Sequence, residues 1–306
     1  MDQKRLEKLL KQQQGLGPID RICPLQKGQS PDEKYILYQK DQEKYILRIA
    51  SIKKYDKNRT IFGIIRNFHK KGVKCLKPVA FGKTSDHQYC YSIVEYLQGK
   101  SGNAILPGLT KSQQLSIGIA AGEELKKLHA LKAAKQKLDW FDLRYSKFLN
   151  DLKTFNDLKL SFYKDKYVLD YLESHLDLMK GRPYRFLHND YNVRNIIINN
   201  QEFNGIIDFD AFRWGDPLHD FYKLPWGSKS CSVWYVQGEI IGYCGGRVPD
   251  SFWEMYNFYV MLNLHRRLVW AYQKNPSRIP IRQKIIETIV KEHDLKSNKK
   301  PSWFTC

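Results

Sequence analysis

His188-Asn189-Asp190-Tyr191-Asn192-Val193-Arg194-Asn195, followed thirteen residues later by Asp208, decides the reading of this 306-residue chain. Phe186-Leu187 before it, Asn195 to Ile198 at its end and Phe203 to Ile207 ahead of Asp208 read as short buried strands. Asn199-Asn200-Gln201 reads as the tight turn between the last two. The expected unit is strand, loop, strand, loop, with both loops opening on one side of a sheet so that Asp190, Asn195 and Asp208 converge. Transfer of a phosphoryl group to a hydroxyl asks for that set. One carboxylate accepts the hydroxyl proton, and a carboxamide with a second carboxylate holds Mg²⁺ on the phosphates.

With these residues in view, the stretch resembles the aminoglycoside phosphotransferase and choline-kinase group of small-molecule kinases, relatives of the protein kinases. Gly215-Asp216-Pro217-Leu218-His219-Asp220 adds to the likeness, because that family follows its metal-binding Asp with a Gly-Asp-Pro-x-x-Asp segment. The resemblance runs from about Leu25 to about Trp226. It implies an α+β, bilobal protein-kinase-like fold. Residues 1–97 would form a small antiparallel sheet with one main helix and the hinge, and residues 98–306 a larger, mostly helical lobe. It also implies Asp190 as catalytic base, Asn195 and Asp208 as Mg²⁺ ligands, His188 as a residue orienting the loop, and Asp220 as a structural cap tying that loop down. The donor would be ATP or GTP. The acceptor would be a hydroxylated small molecule, an aminoglycoside-type antibiotic first, with an amino alcohol, a sugar or a macrolide as alternatives.

Upstream, the pattern is strand, strand, strand, helix, strand, strand. Lys34 to Tyr38 and Lys44 to Ile49 form a hairpin around Asp41-Gln42-Glu43, a helix covers about 59–71 and ends at Gly72, and strands follow at 78–81 and 89–96. Gly28-Gln29-Ser30 lies where a kinase-like chain carries its phosphate-covering loop. Ser30 is the candidate donor there, and an ordinary hairpin turn is the equal alternative. Arg48 stands at the third-strand position that suits phosphate oxygens. The helix that should offer it a Glu reads Arg59-Thr-Ile-Phe-Gly-Ile-Ile-Arg66 and holds no acid. Either another carboxylate orients Arg48, or the cation is loosely held and turnover suffers, as in a non-catalytic nucleotide-binding scaffold. Val94-Glu95-Tyr96-Leu97 is the expected hinge, with the backbone of Glu95, Tyr96 and Leu97 meeting the purine edge.

Asp210 reads as a second ligand or a substrate contact. Asp216, Glu239 and Glu254 are the candidates for the acidic pocket that a polyamine sugar needs. Residues 111–131, two stretches within 141–180 and most of 230–292 read as helices, the last with an aromatic run at 252–272 expected in the core. His129 reads as packed or capping, and the tail from about Ser297 as polar and frayed.

The formal net charge is +19, and it is unevenly spread. Residues 34–83 carry fourteen Lys or Arg against three acids, whereas 186–224 carry three against six, which makes the presumed site locally acidic. No RNA-binding motif or basic stripe interleaved with aromatics accompanies the charge, so nucleic acid is set aside in favour of nucleotide and small molecule. Six scattered cysteines without a Cys-x-x-Cys pair read as reduced thiols. With no signal-peptide core and no membrane-length apolar run, the expected location is cytoplasmic. The oligomeric state is left open.

Overall fold

The computed structural model describes residues 3–13, 16–25, 31–133, 139–297 and 299–306. The chain divides into two compact units, one of 1–100 with 197–200 and 204–210, the other of 101–196, 201–203 and 211–306. The sequence reading assigned all of 98–306 to the second lobe. Segment 204–210 groups with the first unit because it runs beside the residues after the main helix. There the Ile206 N–H donates to the Lys74 carbonyl at 3.0 Å, and Ile206 bridges Cys75.

The first unit is built from α1 (Gln3–Lys11), β1 (Arg21–Pro24), β2 (Glu33–Gln39), β3 (Gln42–Ser51), α2 (Tyr55–Lys70), β4 (Pro78–Lys83) and β5 (Tyr89–Glu95). The strands form one antiparallel sheet in the order β1-β2-β3-β5-β4. Alternation along β3 sends Tyr45, Leu47 and Ile49 into a core shared with Leu37, Ile93 and the Leu6, Leu9 and Leu10 stripe of α1. Arg48, between Leu47 and Ile49, therefore belongs to the opposite face. Helix α2 begins at Tyr55, ahead of the expected start, and buries Ile61, Ile65 and Phe68. The left-handed Gly72, at φ +75°, follows its end.

The second unit contains α3 (Lys111–His129), α4 (Trp140–Asp157), α5 (Asp165–Ser174) and β6 (Arg185–Leu187). The hairpin β7 (Ile196–Asn199) and β8 (Glu202–Ile206) comes next in the chain, and its residues are divided between the units. Then follow β9 (Arg213–Gly215), a 3-10 run (Pro217–Trp226), α6 (Val233–Cys244), α7 (Asp250–Leu262), α8 (Leu264–Lys274) and α9 (Ile279–Glu292). β9 pairs antiparallel with β6 and fixes the strand from which the His188 loop leaves.

Helix α3 starts at a capping box between Thr110 and Gln113. It meets α6 through two glycine pairs, Gly118 and Gly122 against Gly238 and Gly242. A Cβ at any of the four would collide with backbone of the facing helix, so their absence sets how closely the two helices approach.

The core of this unit is aromatic, with Tyr235, Tyr256, Phe258 and Tyr259 at 0–1% exposure. Trp270 and Tyr272, expected in the same core, are exposed. The C-terminal tail differs from expectation in the other direction. Trp303 and Phe304 are buried against Trp253 and Tyr256, and the Gln237 side chain accepts the N–H groups of Thr305 and Cys306. Two large rings supply enough apolar surface to order a segment whose lysines suggested fraying. No helix of the described residues is long and apolar enough to cross a membrane.

Candidate active site

The second unit carries the loop 188–195. His188 is fully buried, and Asn189 turns the chain at φ +59°, a left-handed conformation that Asn tolerates better than most residues. The Asp220 carboxylate clamps this turn by accepting the N–H groups of His188 and Asn189, each at 2.8 Å. Asp220 also meets His129 Nε2 at 3.1 Å, and Nδ1 of that ring meets the Tyr243 hydroxyl at 2.9 Å. The Asp190 N–H donates to His188 Nδ1 at 3.3 Å. The backbone around Asp190 is thus pinned from a buried, satisfied network, the condition under which a polar core stays in one arrangement.

The Asp190 side chain is 39% exposed and held from two sides. Lys223 Nζ donates to Oδ1 at 2.7 Å and Asn195 Nδ2 to Oδ2 at 3.1 Å. Asn195 Nδ2 also donates to the Asp190 carbonyl at 2.8 Å. Both bonds use the amide nitrogen, which turns the carboxamide oxygen away from Asp190 as an available acceptor. Arg194 is exposed. Lys223 escaped the sequence reading. It lies three residues past Asp220 in one helical run, so the segment that clamps the loop backbone also aims a cation at Asp190.

Arg48 in the first unit is held by two acids that are not on α2. Its Nε and Nη2 donate to Asp32 Oδ2 at 2.9 and 2.6 Å, and its Nη1 donates to Asp210 Oδ1 at 2.7 Å. Lys54 also pairs with Asp32. Burial works against the guanidinium charge, but Asp210 and then Asp32 outweigh it and hold the Arg48 pKa above its ordinary value. Asp210, read as a second ligand or a substrate contact, pairs with Arg48. Asp208, two residues earlier, is exposed and sits at φ +65°, a strained backbone conformation of the kind found at functional sites.

Two of the three hinge N–H groups are committed to the sheet. Glu95 donates to the Lys77 carbonyl and Tyr96 to the Lys44 carbonyl, both at 2.8 Å. Leu97 is left as the N–H of that trio with no partner among the described residues. Ser30 and its loop lie outside the described residues.

The three acids expected to line a polyamine pocket do not form one. Asp216 is fully buried, paired with Arg182 and accepting the Tyr259 hydroxyl at 2.7 Å. Glu239 is 1% exposed on α6, and burial pushes its carboxyl up to about 8, so it is neutral at pH 7. Glu254 lies half-buried on α7 and does not line the cavity beside Asn189. What adjoins the loop is a cavity of about 180 Å³ that includes Asn189 and Lys223 in its lining.

No group of three or more His, Cys, Asp or Glu able to hold a metal ion occurs among the described residues. Asn195 and Asp208 offer one carboxamide oxygen and one carboxylate. Each is a hard oxygen donor of the kind Mg²⁺ takes, Asn195 in the second unit and Asp208 in the first.

None of the curated proteins searched matches this sequence. Among solved structures, the chain is similar to the ADP-bound aminoglycoside phosphotransferase APH(2'')-Ib, at 17% identity and a TM-score of 0.60, with 100% of both chains covered. It is similar to the GDP complex of wild-type aminoglycoside 2'-phosphotransferase-IIIa, at 15% identity and a TM-score of 0.65, covering 94% of this chain and 98% of that one. The amicoumacin kinase hAmiN, in complex with AMP-PNP, Ca²⁺ and Ami, gives 14% identity and a TM-score of 0.64 over 97% of each chain. At these identities the likeness shows the fold. The model of the phosphotransferase enzyme family matches residues 21–247, and the chain belongs to that family.

Proposed function

We propose that this protein transfers the terminal phosphate of ATP or GTP, as its Mg²⁺ complex, to an alcohol hydroxyl of a small molecule. One observation carries the reading: Asp190 is a partly exposed carboxylate on a clamped loop, held by Lys223 and Asn195. In the reaction, Asp190 accepts the hydroxyl proton while the alcohol oxygen forms a bond to the terminal phosphorus. The bond from that phosphorus to the bridging oxygen breaks, and the nucleoside diphosphate leaves. Asn195 and Asp208 each carry an oxygen that would serve Mg²⁺, and the metal would supply neutralisation of charge on the phosphate oxygens. Arg48, aimed by Asp32 and Asp210, receives the inner phosphates, and the Leu97 N–H meets the base.

The alternative of a non-catalytic scaffold drew its support from the missing acid on α2. Asp32 and Asp210 supply what α2 lacks, which removes that ground. The solved structures named above suggest an aminoglycoside as acceptor, but this chain's own pocket favours the opposite charge. The test is to incubate the full-length protein with Mg-ATP or Mg-GTP and pooled hydroxy compounds, and to search by mass for a phosphate adduct. Asp190→Asn is expected to lower the rate by roughly 10²–10⁴, with an unchanged circular dichroism spectrum. Transfer undiminished in that variant removes Asp190 as the base.

A further inference from the structure

The cavity beside Asn189 is walled by Arg144, Lys147, Arg213, Lys223, Arg266 and Arg267, and no Asp or Glu among the described residues lines it. These cations come from α4, β9, the 3-10 run and α8, elements distant in sequence that the fold of the second unit brings around one space. Arg144 is only 8% exposed, and its one hydrogen bond runs from Nη2 to Asn263 Oδ1 at 3.2 Å. The Nε groups of Arg144 and Arg267 and both ring nitrogens of His219, all buried, have no partner among the described residues.

Ring faces account for part of this packing. Arg267 lies 5.5 Å over Tyr222 and 5.1 Å over Trp226, and Arg144 lies 5.7 Å over Trp140. Such contacts occupy the faces of a guanidinium and leave its edge hydrogens unpaired. Burial lowers the Arg144 pKa to about 10, with Arg266 adding to the effect, and burial lowers that of Arg267 too. Cations crowded out of water are costly to fold unless anions answer them, and Lys223 has Asp190 as its partner. Asp190 pairs with Lys223 at the cavity wall.

We propose that this cavity is the acceptor subsite and that it takes a hydroxyl compound of about monosaccharide size bearing a phosphate or carboxylate group. The size follows from about 180 Å³, well below the roughly 300–1,000 Å³ typical of drug-sized ligands. The guanidinium and ammonium groups that line the cavity supply the donors that an oxyanion matches. Trp270, 47% exposed at the wall, offers a flat face for a ring. A polycation such as an aminoglycoside meets six cationic side chains and no acid among the described lining residues. The inference deepens the kinase reading and rests on it for the role of acceptor, whereas anion binding stands by itself.

The test uses the full-length protein and isothermal titration with glucose 6-phosphate, gluconate, glucose and kanamycin, alongside mass detection of phosphate adducts with Mg-ATP. Glucose 6-phosphate or gluconate is expected to bind at least tenfold tighter than glucose, and kanamycin not to compete. Arg266→Gln and Lys147→Gln, at half-exposed positions where misfolding is least expected, should each weaken the anion at least threefold, and Arg144→Gln more. Arg48→Ala should leave it bound, which separates this cavity from the nucleotide side. Anion binding lost only in Arg48→Ala, or kanamycin or glucose binding as tightly as the anions, overturns the proposal. Anions that bind here while no alcohol is ever phosphorylated leave the subsite standing as an anion site and sink the kinase reading instead.

Discussion

Arg48 in the first unit and Arg267 in the second are both largely withdrawn from water, yet their surroundings treat the charge in opposite ways. Arg48 donates to Asp32 and Asp210, and those acids raise its pKa against the effect of burial. Arg267 lies on two aromatic rings with its Nε unpaired, Arg266 and Arg144 share its cavity, and burial lowers its pKa. A neutralised cation is fixed in direction and can be presented to a ligand at one angle. An unneutralised set stores a demand for an anion. Overall net charge distinguishes neither case, because what matters is which carboxylates the fold spends and where.

The largest break in this contrast is expected from Asp32→Ala. Its carboxylate is 3% exposed on the side chain and answers both Arg48 and Lys54, so removing it leaves two cations short of a partner. Breaking a buried pair costs about 3–5 kcal/mol, and Arg48, at 22% exposure, points to the lower end. Urea unfolding followed by tryptophan fluorescence reads that loss. A shift below about 1 kcal/mol would mean Asp210 alone suffices, and would weaken the view of Arg48 as doubly held.

Glu239 is a third solution to a buried charge, which is to lose it. Its carboxyl titrates near 8 in the fold against 4.5 ordinarily, so between those values the folded chain keeps a proton that the unfolded chain has released. Its contribution is fully present below pH 4.5 and is lost as pH rises through 8. Buried His265 and His293, lowered to about 4, work in the opposite sense, but only as pH falls below 6.5. Stability should therefore fall by about 2 kcal/mol from pH 6.5 to 8, and Glu239→Gln should flatten the profile. A decline that persists in Glu239→Gln points to another buried group.

These charge arrangements divide what the sequence shows from what it hides. The loop 188–195 and the turn at Asp208 were legible because each adjoins short apolar strands, and strand, turn and motif spacing are local. The clamp by Asp220 was legible for the same reason, through the Gly-Asp-Pro segment. Asp32 was not, because it reaches Arg48 across the β2/β3 hairpin from a turn with no periodic signature. Asp216, Glu239 and Glu254 read as candidates for an acidic pocket. The fold instead spends Asp216 on Arg182, Asp220 on backbone N–H groups and Asp210 on Arg48, and it draws its pocket cations from α4 and α8. The glycines of α3 and α6 carried no signal either, since their meaning is the facing helix. Trp303 and Phe304 at the C-terminus were read as frayed because burial of a tail depends on a groove made elsewhere.

The smallest and most discriminating effect is expected from Arg267→Met, which keeps an unbranched apolar chain and removes the desolvated charge. Replacing buried charge by hydrophobic volume is often neutral or stabilising by about 1–4 kcal/mol, and the partial exposure of Arg267 sets the expectation near 1 kcal/mol in phosphate-free buffer. Phosphate should then reverse the order. A ligand present at ten times its dissociation constant stabilises by about 1.4 kcal/mol, so wild type should overtake the variant as phosphate is added while the variant's midpoint stays still. If Arg267→Met were instead less stable in every buffer and wild type indifferent to phosphate, the guanidinium would be a packing element on Tyr222 and Trp226. The two arginines would then differ in their neighbours without differing in purpose.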